Sequence, residues 1–128
     1  MRALLDTHAF LWWISGDDRL SADATRTIAD ARNELFVSAA SIWEIAIKAR
    51  LGRLSIPGDP GQFIGGQLVE NSFRGLPILA GHALRLCALP DHHRDPFDRM
   101  LVAQAQVEKL ALISRDAHVS RYDVDVVW

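Results

Sequence analysis

The sequence predicts an α/β fold, a three-layer α/β/α sandwich around a central parallel sheet of about five strands. Three observations predict it. Short apolar runs of strand length recur along the chain, and longer segments with apolar residues at helical spacing separate them. The main runs also end in hydroxyl or acidic residues that open the next helix. Strands that alternate with helices are the pattern of a parallel sheet covered on both faces.

In chain order, Ala3–Leu5 is the first strand, and the helix after it runs through Phe10, Leu11 and Ile14. Ser21–Arg32 is the second helix, with Ala24, Ile28 and Ala31 on one face. Leu35–Val37 is the second strand and Ile42–Leu51 the apolar helix that follows. Pro57-Gly58-Asp59-Pro60-Gly61, Gly65-Gly66 and Gly75 punctuate the next stretch, where Phe63–Phe73 is a helix candidate. Leu76–Leu79 is a weaker strand and His82–Ala88 a short helix. Pro96–Leu110 is a long helix, and Ala111–Ile113 and Val124–Val127 are the last strands. A short helix is expected to open at Asp116 between them.

The 128 residues fit one domain, 1–128, and that length buries a core without disulfides or structural zinc. With 49% hydrophobic and 23% charged residues the chain is globular rather than disordered. A net charge of −2 excludes a whole-chain basic footprint for nucleic acid, although twelve of the fourteen cations are arginine, the side chain suited to bidentate phosphate contacts. One cysteine, Cys87, excludes an internal disulfide framework and suits a reducing, cytoplasmic location. It falls in an apolar helix and reads as inert core. Asp6 interrupts any signal-peptide apolar region, and Ala9–Ile14 is too short for a membrane span, so no membrane association is expected. The glycines at 58–66 match no phosphate-binding fingerprint.

The acids fall where strands hand over to helices: Asp6 after the first strand, Glu44 after the second, Asp95 and Asp98 at the start of the long helix, and Asp116 after Ala111–Ile113. In a parallel sheet those strand ends share one edge, where ligands bind. Each acid also has a structural reading. Asp6 and Asp116 suit helix caps, Ser41-x-x-Glu44 fits a capping box, Glu44 can pair with Lys48 one turn on, and Asp95 before Pro96 is an N-cap. Gathered in one pocket, however, four carboxylates repel unless a cation neutralises them, and hard oxygen donors suit Mg²⁺ or Mn²⁺. Of the Asp95/Asp98 pair, Asp95 is the better cap and Asp98 the freer ligand. Which of the two is the direct ligand stays open at this point, as does the choice between one ion and two.

Leu-Leu-Asp6-Thr-His, Ser-Ala-Ala-Ser-Ile-Trp-Glu44-Ile-Ala-Ile-Lys, His92-His-Arg-Asp-Pro-Phe-Asp98-Arg-Met-Leu and Leu-Ile-Ser-Arg-Asp116 together resemble the PIN-domain ribonucleases, in particular the VapC-like toxins of bacterial toxin–antitoxin pairs. The resemblance runs from residue 3 to Trp128, and the Asp-Pro-Phe-Asp-Arg block is its most specific part. Ser114 stands where similar proteins often carry threonine, which keeps the hydroxyl. The resemblance implies an endoribonuclease dependent on Mg²⁺ or Mn²⁺, with Asp6, Glu44, Asp98 and Asp116 as the acidic quartet that holds one or two ions and Asp95 beside them. It implies water activated by the ion as nucleophile, so the RNA 2′-hydroxyl is not needed. It also implies a small antitoxin of VapB-like type whose tail covers the site, and a homodimer.

Around the acids, Arg94, Arg99 and Arg115 are candidate clamps on RNA phosphate, with pairing to the carboxylates as the alternative. His92 and His93 adjoin the acidic block, and His8 follows Asp6; each is a candidate contact whose alternative is packing. Lys48, Arg50 and Arg53 read as a basic patch or simply a solvated helix end. Trp12 and Trp13 lie about 100° apart on their helix, so one lines a partner groove or both join the core. Three rival functions come into question: a receiver-like signalling domain, a haloacid-dehalogenase-like phosphatase and a PIN-like binding module without catalysis. Asp6-Thr7-His8 lacks the paired acids of the first two, and the full acidic set argues against the third.

Overall fold

The computed structural model describes residues 1–128. In chain order the elements are β1 (Arg2–Leu5), α1 (Thr7–Ser15), α2 (Ala22–Ala29), β2 (Glu34–Ser38), α3 (Ala39–Arg50), α4 (Pro60–Glu70), β3 (Arg74–Leu76), α5 (Ala80–Leu86), α6 (Pro96–Glu108), β4 (Ala111–Ile113), a 3₁₀ turn (Val119–Arg121) and β5 (Val126–Val127). The sheet has five strands in the order β3-β2-β1-β4-β5, and every pairing is parallel. This is the α/β/α sandwich that the alternation of strands and helices predicts.

Side chains along β1 alternate between two cores, as the period of two in a strand requires. Leu4 points to the face covered by α6, where it joins Leu101, Val102, Ala105 and Leu112. Ala3 and Leu5 point to the other face, with Phe10 of α1, Ile28 of α2, Ile45 of α3 and Ile64 of α4. No helix is long and apolar enough to cross a membrane.

Strand order reverses at β1. The chain builds outward through β2 and β3, then returns to place β4 on the other side of β1. Such a switch point opens a crevice at the carboxyl ends of the two central strands. Asp6 N donates to Ile113 O at 3.0 Å, which pins the start of α1 to the end of β4 at that point. Lys109 adopts the left-handed conformation (φ 56°) at the end of α6 and turns the chain directly into β4.

Several expected boundaries shift for identifiable reasons. The strand expected at Leu76–Leu79 lies at Arg74–Leu76, because Pro77 has no N–H to continue the ladder. β5 shortens to Val126–Val127, since Val124 N turns back to Tyr122 O at 2.9 Å. The capping box at Ser41/Glu44 does not form. α3 begins three residues earlier, with Ser38 as N-cap accepting from Ala40 N at 3.0 Å. No helix opens at Asp116, which sits in a turn before the 3₁₀ segment. Cys87 is exposed rather than core.

Trp12 is buried, and the partly buried Trp13 packs against the α1-side core while its Nε1 donates to Asn71 Oδ1 at 2.9 Å.

Candidate active site

Asp6 reaches the crevice from the end of β1. It is buried, and one oxygen, Oδ1, accepts from Ala9 N at 2.7 Å, so it caps α1 while its carboxylate remains at the switch point. Burial pushes its pKa up, against hydrogen bonds from Ser114 and Ala9 N that pull it down. Thr7, next in the chain, turns inward: its hydroxyl donates to Glu44 Oε1 at 2.7 Å, with Ser41 Oγ 2.9 Å away. Ser41 therefore serves the α1–α3 contact rather than a cap. The other Glu44 oxygen pairs with Lys48 Nζ at 2.8 Å, the pair one turn apart that the sequence suggests.

Asp95 and Asp98 divide their tasks as their positions at the head of α6 dictate. Asp95 Oδ1 accepts from Phe97 N at 2.8 Å and Asp98 N at 3.0 Å, and Pro96 at the first helical position needs no partner for its missing N–H. Asp98 lies one turn in, with its carboxylate free of backbone. Burial, then the charge of Asp95, and further the charges of Asp6 and Glu44, push its pKa up to about 7, although His93 pulls the other way. Asp116 behaves oppositely. Burial works to raise it, but hydrogen bonds from His93 and from His118 N (2.8 Å) hold it below the ordinary carboxylate value.

His93 is the group that sequence reasoning underweighted. Its Nδ1 accepts from Asp95 N at 3.0 Å, so the neutral ring carries its proton on Nε2. That nitrogen lies 2.7 Å from Asp116 Oδ2 and 3.2 Å from Asp98 Oδ2. Ligand atoms of His93, Asp98 and Asp116 all lie within 4.8 Å of one another. The signal in the sequence was the position of His93 two residues before a capping aspartate, which lets the ring accept that residue's N–H; the partner 23 residues further on was not legible.

A cavity of about 330 Å³ is lined by Asp6, His8, Trp12, Arg19, Asp98, Arg115 and Asp116. The fold thus brings Asp6, Asp98 and Asp116 to one opening, with the Glu44 charge felt from behind. Arg115 reaches it and lies over the Trp12 ring, 4.9 Å from its centroid. Arg99 does not: its Nη1 donates to Pro90 O (3.0 Å), His93 O (3.4 Å) and Tyr122 Oη (3.2 Å), bracing the loop that carries His93. Arg94 is exposed at a neighbouring cavity lined also by Asp91, His92, His93, Asp95 and His118. His8 is exposed and stacks on Trp12 at 5.4 Å. His92 packs edge-on against Tyr122 at 5.0 Å. A larger groove of about 510 Å³ adjoins the acidic cavity and shares His8, Trp12 and Arg19 with it; Leu11, Ile14, Leu54, Ile56 and Phe63 give it an apolar floor.

Converging hard oxygens with mutual repulsion suit a divalent cation, which is the fit that the raised Asp98 and its acidic neighbours express. The model of the PIN domain family matches residues 3–125 of the chain. A curated relative, ribonuclease VapC22 of Mycobacterium tuberculosis, is 33% identical over 114 residues, covering 88% of this chain and 85% of that protein. Among solved structures, VapBC2 from Rickettsia felis, bound to a DNA fragment from its promoter, aligns with a TM-score of 0.73 at 11% identity over 98% of this chain and 97% of its own. VapBC-1 from nontypeable Haemophilus influenzae aligns at 0.65 and 15% identity, over 98% and 96%.

Proposed function

The chain belongs to the PIN-domain family, and from that premise we propose that it is a divalent-metal-dependent endoribonuclease, the toxin of a toxin–antitoxin pair acting in the cytoplasm, with residues 1–128 as one PIN domain. The observation that carries this reading is the convergence of Asp6, Asp98 and Asp116 on one cavity at the switch point, with ligand atoms of His93, Asp98 and Asp116 within 4.8 Å of one another. A carboxyl group so crowded by like charges is stabilised by a cation rather than by a further hydrogen bond.

In this reading Asp98 and Asp116 hold the ion, Mg²⁺ or Mn²⁺, with Asp6 on the inner wall and Glu44 behind. When bound, the ion supplies Lewis acidity toward water and phosphate. The chain's own groups do the rest. Asp95 fixes the first turn of α6 and thereby aims Asp98. His93 Nε2 donates to Asp116 and keeps its carboxylate facing Asp98. Thr7 and Lys48 hold both oxygens of Glu44, which fixes the orientation of its carboxylate. Buried Ser114 donates to Asp6.

The partner in this reading is a VapB-like antitoxin, supported by the likeness in fold to the VapBC structures and by an apolar groove that shares His8, Trp12 and Arg19 with the acidic cavity. A segment lying in that groove covers Trp12 and Arg19 and blocks access to the acids. A homodimer belongs to the same reading; exposed Trp43 and Ile47, one turn apart on α3, and Leu51 at its C-cap give an apolar face for it.

The test uses the chain purified free of any partner. It cleaves RNA with Mg²⁺ or Mn²⁺, stops with a chelator, and loses cleavage in Asp6→Asn. Cleavage that persists in chelator, or unchanged in Asp6→Asn, overturns the reading. Greater damage from Asp95→Asn than from Asp98→Asn exchanges the roles of those two residues.

A further inference from the structure

At the mouth of the acidic cavity two guanidinium groups share one indole. Arg19 Cζ lies 5.0 Å and Arg115 Cζ 4.9 Å from the Trp12 ring centroid, and both arginines line the cavity with Asp6, Asp98 and Asp116. They arrive from unrelated parts of the chain, Arg19 from the turn after α1 and Arg115 from the turn after β4. Trp12 is itself buried, so the ring that orients them is a fixed platform. His8 stacks on it at 5.4 Å and Trp128 leans on it at 5.8 Å.

With each Cζ about 5 Å from one ring centroid, the two guanidinium groups lie within about 10 Å of one another, where like charges repel; the Asp17 carboxylate feels both but pairs directly with Arg19 alone. Asp17 takes Arg19 through Nε (3.1 Å) and Nη2 (2.7 Å), which leaves the Nη1 side of its fork free. Arg115 is exposed, forms no ion pair and is placed by its stacking on Trp12. Local charge is therefore positive at the rim and negative at the floor. An anion that spans the two guanidinium groups relieves the repulsion and uses planar forks suited to phosphate oxygens.

We propose that Arg19 and Arg115, stacked on Trp12, form a subsite for a backbone phosphate of the RNA strand next to the one held at the acids. This rests on the ribonuclease reading and deepens it, since it places the strand across Trp12 on its way to the acidic floor. Asp17 keeps Arg19 in register, and the indole keeps both forks from folding down onto the site carboxylates. The neighbouring phosphate is thereby fixed by protein, while the attacked phosphate is left to the ion.

The inference is tested by binding rather than turnover. In an Asp98→Asn background, fluorescence anisotropy of a labelled single-stranded RNA is followed at several KCl concentrations with Mn²⁺ present. Arg115→Ala and Arg19→Ala each weaken binding about 5- to 10-fold near 0.1 M KCl. Each also makes the plot of log Kd against log salt shallower by about 0.7, as expected when one phosphate of a single strand is no longer neutralised by the protein. Arg32→Ala is the control: Arg32 pairs with Asp30 in the same Asp-x-Arg geometry, far from the cavity, and its loss leaves affinity and slope unchanged. Arg115→Lys keeps the slope but not the full affinity, because the charge remains and the fork does not. Unchanged affinity and slope in both alanine variants overturn the subsite. RNA cleavage by the Asp98→Asn background itself overturns instead the metal-site reading on which it rests, so the two failures are distinct.

Discussion

His82 and His93 accept a backbone N–H on Nδ1 in the same manner, from Leu79 and Asp95, each at 3.0 Å, and each turns Nε2 toward carboxylate oxygen. Their surroundings differ. His82 is fully buried at the joint between α5 and α6, faces the single carboxylate of Glu108 at 3.0 Å, and has Gln104 beside it, whose own amide is held by Ser38 and Pro77 O. Every polar atom there has a partner, and the one carboxylate meets the one ring nitrogen left to face it. His93 faces Asp116 and Asp98 together, with Asp95, Asp6 and Glu44 adding to the field. The same imidazole geometry makes a structural joint in one region and lines an acid-crowded cavity in the other. What separates them is the surplus of negative charge, which a joint cannot tolerate and a cation site requires.

The sharpest way to break the comparison is Asp98→Asn. It removes the most crowded carboxylate and is expected to lower metal-dependent RNA cleavage by more than about 100-fold, since changing even the partners of a metal ligand costs 10- to 100-fold. In chelator the variant melts no lower than the parent at pH 8, because a repelling charge has gone. Retained cleavage with a lowered melting temperature would make Asp98 a structural acid like Glu108.

Exchanging the two histidines' fates comes next. His82→Ala leaves Glu108 and Leu79 N without their partner and opens a cavity, at a cost of about 2–4 kcal/mol in urea unfolding. Cleavage per folded molecule is unchanged. His93→Ala is expected to reverse the balance: about 1 kcal/mol or less in stability at its half-buried position, and a 10- to 100-fold loss of cleavage with weaker Mn²⁺ binding by titration calorimetry.

The remaining test is a pH slope. Asp98 titrates near 7 in the folded chain and near its ordinary value of 3.8 when unfolded. Between those values the native chain holds a proton that the unfolded chain has released, so its contribution makes stability fall as pH rises through the window and level off above it. Melting temperatures in chelator, scanned from pH 4.5 to 8, show this slope as the difference between the parent and Asp98→Asn. A parallel pair of curves would remove Asp98 from the crowded cluster.

Strand identity and order of elements were legible because apolar runs and helical periods are local properties. So was the division between Asp95 and Asp98, which follows from Asp-Pro at a helix start. Three things were not. Ser38 and Ser41 are equally good caps on paper; only the approach of Thr7 from α1 assigns Ser41 elsewhere. Cys87 belongs to an apolar segment, but α5 is too short to bury more than its His82 face. Arg99 adjoins the acids in sequence, yet Tyr122 and the 90–93 loop capture its guanidinium group from a part of the chain that no local pattern points to. The gathering of Asp6, Asp98 and Asp116 at one cavity was legible from acids at strand and helix ends, whereas His93 became visible only once β4 and the head of α6 met at the switch point.

Asp6, Asp95 and Asp116 each spend a carboxylate oxygen on a backbone N–H, a task that an asparagine side-chain oxygen performs as well. Every aspartate codon becomes an asparagine codon by one G-to-A transition at its first base. A single such change at Asp6 leaves α1 capped and the partner-facing groove intact while it removes a charge from the floor of the cavity. A single base change can thus alter the charge of the cavity while sparing the cap that holds the fold.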